Sequence, residues 1–141
     1  MVNKPAESKN FINLGVVLNK KGEVLLIRRK DLEKGSGNSL LSWAFPGGKQ
    51  RYQETREACV VREIEEETGV KVEQIKEISL RVHPEFPVTI VYHLCKTKDS
   101  DKIGITKEPW EVAEIRWVKP LEIRNLITSD LDKDVSKELN I

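Results

Sequence analysis

Glu63, Glu66 and Glu67 stand at the i, i+3 and i+4 spacing that places side chains on one face of a helix. Within the segment Glu54 to Val70 (ETREACVVREIEEETGV) they cover an arc of about 100°, and Glu65 falls on the other side. Ala58, Val60, Val61, Ile64 and Thr68 fill an adjoining arc of roughly 160°, which is expected to pack against a sheet. For stability alone the acidic patch is wrong twice. Like charges at i, i+4 repel by a few tenths of a kcal/mol, and the last turns of a helix favour cations, not anions. A dication reverses both penalties, because hard Mg²⁺ is bound by carboxylate oxygens. On spacing alone, a solvated acidic face neutralised by Arg56 or Arg62 stays open. The preceding Phe45-Pro46-Gly47-Gly48 favours the metal: glycine lets backbone approach closely, so a carbonyl of Gly47 or Gly48 can add an oxygen beside the carboxylates.

The elements that must position this patch are short. Thr55 is the expected N-cap of the helix, with Glu57 in its first turn and Gly69 at the left-handed C-terminal position. Phe11 to Leu18 and Glu23 to Arg29 read as a β-hairpin joined by Asn19-Lys20-Lys21-Gly22. Asp31 to Leu41 reads as a loop leading to Ser42-Trp43-Ala44-Phe45, an apolar piece stopped by Pro46-Gly47-Gly48. Further strands are expected near Ile75 to Val82, Pro87 to Cys95 and Glu114 to Val118, with polar helical segments after Pro120 and Ser129. Strands before, between and after helices give an α/β or α+β class with a mixed sheet.

The 141 residues, 38% hydrophobic and 33% charged, suit one domain over 1–141 with a real core. No apolar run approaches the roughly 20 residues of a spanning helix, and the polar Met1 to Asn10 lacks a signal-peptide core. A cytoplasmic protein with no membrane partner is expected. Lys+Arg of 24 against Asp+Glu of 23 argues against an extended nucleic-acid surface. Cys59 and Cys95 form no C-x-x-C pair, so neither a disulfide framework nor a cysteine zinc site is expected. Cys59 reads as an inert thiol at the edge of the acidic patch, and His83 and His93 as structural or surface residues.

Gly48, five residues, Glu54, seven residues, then Arg62-Glu63-Ile64-Glu65-Glu66-Glu67-Thr68-Gly69-Val70 matches every fixed position of G-x5-E-x7-R-E-U-x-E-E-x-G-U, with U aliphatic. On this motif the chain resembles the Nudix hydrolase family of MutT-like nucleotide pyrophosphohydrolases. The flanks agree: a hairpin before the box, W-x-F-P-G-G leading into it, and E-x-x-E-I-x-W-V after it, so the likeness runs from about Asn13 to Leu126.

The resemblance implies an α/β/α sandwich around a mixed β-sheet and metal-dependent hydrolysis of a diphosphate bond in a nucleoside diphosphate derivative. It implies that Glu63, Glu66 and Glu67 ligate Mg²⁺, with Mn²⁺ as substitute, joined by a carbonyl of the Gly47-Gly48 turn, taken as Gly48. Arg62 would hold the carboxylates, and Glu54 would support the ligands from behind or be an outer ligand. A further glutamate is expected from the loop before the last strand: Glu111, with Glu108 and Glu114 as rivals. Glu63 or Glu111 would be the general base, Glu63 being preferred. Arg28 or Arg29 would hold a terminal phosphate, unless they are plain surface arginines. For the base, Phe86 and Trp110 are the expected exposed platforms, while Trp43 and Tyr92 read as core. After Gly48 many relatives read lysine or histidine, aliphatic, Glu, x, Gly, Glu; here Lys49-Gln50-Arg51-Tyr52-Gln53-Glu54 departs, which bears on the loop's shape.

Short chains of the family without an added N-terminal domain act on free nucleotides, which points to a small-molecule nucleoside triphosphate, oxidised ones included, cleaved to a monophosphate and pyrophosphate. Alternatives are hydrolysis of ADP-ribose, a nucleotide sugar or a dinucleoside polyphosphate, or a non-catalytic module that binds a nucleotide. Such modules usually lack a box glutamate, and none is missing here.

Overall fold

Asn19 builds the first turn, as an Asx residue can. Its Oδ1 accepts from the amides of Lys21 (3.0 Å) and Glu23 (2.9 Å), and Gly22 follows in a left-handed conformation. The computed structural model describes residues 10–34, 40–127 and 130–141. The turn joins β1 (Phe11–Leu18) to β2 (Val24–Lys34); the two strands pair at Leu18 and Val24 and then diverge. Next to β1 lie β4 (Gly47–Lys49), antiparallel, and β6 (Thr89–Thr97), parallel, with β5 (Val72–Val82) beyond β6. β2 is flanked antiparallel by β3 (Leu40–Ala44) and β7 (Val112–Val118). The result is a seven-stranded mixed sheet of order β3-β2-β1-β6-β5, with β4 attached to β1 and β7 to β2.

Two expectations are corrected here. β2 continues to Lys34 and β3 begins at Leu40, inside the stretch read as a loop, whose remainder, 35–39, lies outside the described residues. Gly47-Gly48 is a short strand as well as a bend. Two glycines give no side-chain alternation to reveal it, and its place comes from the pairing of Asn13 with Gly48 and Leu14 with Gly47.

Neighbouring residues of a strand point to opposite faces, and here each face has its own core. Val16 and Leu26 join Phe45, Tyr92, Val118, Ile123, Val135 and Leu139, beneath α2 (Ile123–Leu126) and α3 (Lys133–Leu139). Val17 and Leu25 join Val60, Ile64, Val70, Val72 and Cys95, beneath α1 (Arg56–Thr68). This is the expected α/β/α sandwich. Val60 and Ile64 are fully buried, worth ~1.5–3 kcal/mol each.

α1 begins and ends as its sequence dictates. Thr55 caps it by accepting from the Ala58 amide at 3.0 Å, and Gly69, at φ 72°, returns its N–H to Glu65 O at 2.8 Å. Its buried side is rotated by roughly 90° from the apolar arc: Cys59 and Glu67 are buried with Val60, Ile64 and Thr68, while Ala58 is exposed. A hydrogen bond from the Gly47 amide to Glu67 Oε1 favours this facing. Among the described residues no helix is long and apolar enough to cross a membrane.

Candidate active site

β4 and α1 meet through backbone on one side and carboxylates on the other. Gly47 has φ 149°, and a Cβ there would run into the Asn13 carbonyl. The Gly47 N–H donates to Glu67 Oε1 at 2.7 Å, which draws Glu67 inward until it is 1% exposed. At Gly48 a Cβ would stand 2.7 Å from the Glu63 carboxyl group. The Gly48 carbonyl accepts from the Cys59 thiol at 3.6 Å. Burial pushes that thiol up to about 12, so Cys59 is inert, as its context suggested.

Arg62 organises the helix side. Its Nε and Nη2 donate to Glu54 at 2.6 and 2.9 Å, and its Nη1 donates to Glu63 at 2.8 Å and Glu66 at 3.2 Å. The planar guanidinium fork suits this pattern and a lysine would not. Glu54, bonded by Arg62, is held down to about 2. Glu54 Oε1 also accepts from the Arg51 amide at 3.0 Å. Both of its oxygens are thus engaged with arginine residues, and it belongs to neither of the carboxylate groups described below. Glu54 thus stands behind Glu63 and Glu66, joined to them through Arg62.

A loop between β6 and β7 brings in the remaining acids. Gly104 N donates to Thr68 O at 3.0 Å and Lys107 N to Glu66 O at 2.7 Å, which lays the loop over the end of α1. The approach needs glycine on both sides: a Cβ on Gly69 would lie 2.5 Å from Gly104 Cα. Trp117 Nε1 fixes the loop's other flank by donating to Asp101 O at 2.7 Å. Glu108 is thereby set between two overlapping groups, Glu63-Glu66-Glu108 and Glu67-Glu108-Glu111, each with oxygens within 4.8 Å of one another. Glu111, the residue expected from sequence, is exposed, and its rival Glu108 is shared by both groups. Glu114 is elsewhere, on β7, paired with Arg28 at 3.3 Å and Arg116 at 2.7 Å.

Two carboxyl groups of this cluster are held away from their anionic forms. Burial pushes Glu67 up to about 8 despite the Gly47 amide and Arg29. Burial and the charges of Glu63, Glu111 and Glu66 raise Glu108, and Glu108 Oε2 is buried with no hydrogen-bond partner. Hard oxygen donors that disfavour their own anions, as Glu67 and Glu108 do, fit a hard dication. Glu63, Glu66, Glu67, Glu108, Glu111 and the Gly48 carbonyl are the oxygens that could hold one.

The carboxylates open into a cleft of about 720 Å³. Gly47, Gly48, Glu63, Glu67, Glu108, Glu111 and Arg29 line it, with Trp43, Phe45, Tyr92 and Phe86 as its aromatic surface. Of the two candidate arginines the structure brings only Arg29 to the cleft; a register shift against β7 separates it from Arg28, which faces Glu114. Of the two expected platforms, Phe86 lines the cleft, its ring tilted against His83 at 4.9 Å, whereas Trp110, 65% exposed, does not. Trp43 and Tyr92, read as core, pack in the core and also line the cleft. Arg81 escaped notice. It lines the cleft with its guanidinium 6.0 Å from the Tyr92 ring, and its buried Nε has no hydrogen-bond partner. β5 (VEQIKEISLRV) also carries Glu73, Lys76 and Glu77, so the sequence holds no signal that sets Arg81 apart.

Comparison with known proteins places the sandwich, glycine strand and acidic helix in one family. Residues 12–139 match the family model described as NUDIX domain, and the chain belongs to that family. A MutT-like protein of Streptomyces ambofaciens is 30% identical over 109 residues, 77% of this chain and 63% of that protein. The chain therefore spans less than two thirds of that relative. The 8-oxo-dGTP diphosphatase of Escherichia coli (strain K12) is 30% identical over 103 residues, 71% of this chain and 76% of that protein. The crystal structure of MutT protein from Methanosarcina mazei Go1 shares the fold, with a TM-score of 0.66 at 23% identity over 93% of this chain and 92% of that one.

Proposed function

We propose that the protein is a Mg²⁺- or Mn²⁺-dependent hydrolase of a phosphoanhydride bond in a nucleoside triphosphate, oxidised ones included, releasing a monophosphate and pyrophosphate. The observation that carries the reading is Glu108 Oε2, buried without a partner among Glu63, Glu66, Glu67 and Glu111. Membership of the family and the names of the MutT-like and 8-oxo-dGTP diphosphatase relatives support it.

A bound dication would supply charge neutralisation of the phosphates and a more acidic water. The chain's own residues do the rest. Glu63, Glu66 and Glu67, with the Gly48 carbonyl, provide the oxygen face, and Arg62 fixes the orientation of the first two. Arg29 offers a cation toward a phosphate in the cleft. Trp43, Tyr92 and Phe86 offer aromatic surface to a base. As water attacks phosphorus and the anhydride P–O bond breaks, a carboxylate must take the water's proton. We assign that proton to Glu108 Oε2, which has no other partner, in preference to Glu63, whose Oε1 is engaged by Arg62 at 2.8 Å.

The test is product analysis on a panel of normal and oxidised nucleoside triphosphates, ADP-ribose and dinucleoside polyphosphates with Mg²⁺, alongside Glu66→Gln. Pyrophosphate release from a triphosphate, abolished in Glu66→Gln, is expected. Turnover of ADP-ribose or a dinucleoside polyphosphate in its place would overturn the substrate, and hydrolysis of nothing would leave a nucleotide-binding module.

A further inference from the structure

We propose that Gln50, with Asn13 and His93, positions the carboxylate site through a buried chain of hydrogen bonds; the inference rests on the cation-binding reading above. Gln50 is only 6% exposed, and Asn13 and His93 are 0% exposed. Gln74 Nε2 donates to His93 Nδ1 at 3.3 Å, and His93 Nε2 donates to Asn13 Oδ1 at 2.8 Å. Asn13 Nδ2 donates to Gln50 Oε1 at 2.8 Å, and Gln50 Nε2 donates to the Glu54 carbonyl at 2.9 Å. Every step runs in one direction, which assigns His93 as the neutral ring with its proton on Nε2.

The chain crosses β5, β6 and β1 and ends beside the cap of α1. Both elements of the site hang from it. Asn13 is the backbone partner of Gly48, so its side chain is fixed where β4 presents the glycine carbonyl. The Glu54 carboxylate grips Arg62, which in turn grips Glu63 and Glu66. Residues 50–55 form no strand or helix. The Gln50 amide ties one end to Phe11 O at 3.0 Å and Thr55 caps α1 at the other; between them lie one turn bond, Glu54 N to Arg51 O at 3.1 Å, the Arg51 amide on Glu54 Oε1, and a positive φ of 63° at Gln53. Gln50 is the side chain that ties the far end of this loop back to the sheet. An aliphatic residue would fill the space without fixing an angle. A buried polar chain with each member bonded holds one geometry, at the risk that breaking it strands the others.

The experiment titrates Mn²⁺ into nucleotide-free protein by calorimetry, with melting temperature and steady-state kinetics measured on the same samples. Gln50→Leu is expected to weaken Mn²⁺ binding at least tenfold and to lower kcat, with KM for nucleotide nearly unchanged. His93→Leu is expected to do the same, and His93→Gln, which keeps an amide donor for Asn13, to recover most of the affinity. A residue that merely stabilised the fold would lower the melting temperature and leave the Mn²⁺ Kd alone. An affinity within twofold of native in Gln50→Leu overturns the proposal; if that variant does not fold, an unchanged affinity in His93→Leu does so. If the native protein binds no Mn²⁺, it is the underlying cation reading that fails.

Discussion

Glu67 offers the sharpest prediction because the fold works against its charge. In protein without a cation its carboxyl ionises at about 8, against an ordinary 4.5, since burial disfavours the anion. An acid whose value is raised by folding is preferred protonated in the fold. Its contribution is therefore intact below 4.5 and declines by ~1.4 kcal/mol per pH unit as the pH climbs toward 8. By pH 7 the loss is about 3 kcal/mol. Glu67→Gln keeps an acceptor for the Gly47 amide and carries no charge. Measured by urea denaturation in EDTA, the variant is expected to gain on the native protein by about 2.5 kcal/mol between pH 5 and pH 7, whatever fixed offset the amide adds. Magnesium reverses the order: at a hundredfold excess over Kd it stabilises the native fold by ~2.7 kcal/mol and the variant far less. The reasoning is refuted if the difference between the two proteins is the same at both pH values, or if magnesium stabilises both equally.

Other residues give independent tests. Glu108→Gln should lower kcat by ~10²–10⁴, the range of a lost proton acceptor, and Glu111→Gln by less than tenfold; the reverse order in steady-state assays would return the role to Glu111. Gly104→Ala places a Cβ 3.1 Å from Gly69 Cα, backbone against backbone, so the loop carrying Glu108 must shift. A cost of ~1–3 kcal/mol by denaturation is expected, with at least a tenfold fall in kcat/KM, and full activity would show that Glu108 does not depend on this contact. His93 is buried neutral and lowered from 6.5 to about 4. Its contribution is present above pH 6.5 and is lost as the pH falls toward 4, about 3 kcal/mol in all. Stability–pH curves should show His93→Gln lacking that component, and identical curves would contradict it.

What could be read from sequence is what local chemistry decides. Thr55 and Gly69 bound α1 because a hydroxyl cap and a left-handed glycine act within a few residues. Asn19 makes its turn for the same reason. The facing of α1 could not be read this way. Periodicity put Ala58 inside, but Glu67 is drawn in by an amide twenty residues earlier, and Cys59 turns inward with it. β4 stayed hidden because its pairing is specified by β1.

At the site, the box carboxylates and Arg62 come together as their spacing on one helix requires. The choice among Glu108, Glu111 and Glu114 was not legible. It depends on the path of a loop set by the Gly69–Gly104 contact and on β7 pairing Glu114 with Arg28. The same strand geometry parts Arg28 from Arg29 and leaves only the latter at the cleft. Arg81 takes its surroundings from the adjoining strand β6, and Gln50 from β1, 37 residues away in the chain.

Anomalous diffraction from crystals soaked in Mn²⁺ with a non-hydrolysable nucleoside triphosphate tests the central claim most directly. The account predicts a peak within coordination distance of Glu63, Glu66, Glu67 or Glu108, bridging to phosphate oxygens in the cleft. A nucleotide bound elsewhere, or carboxylates turned to solvent with no peak among them, would contradict it.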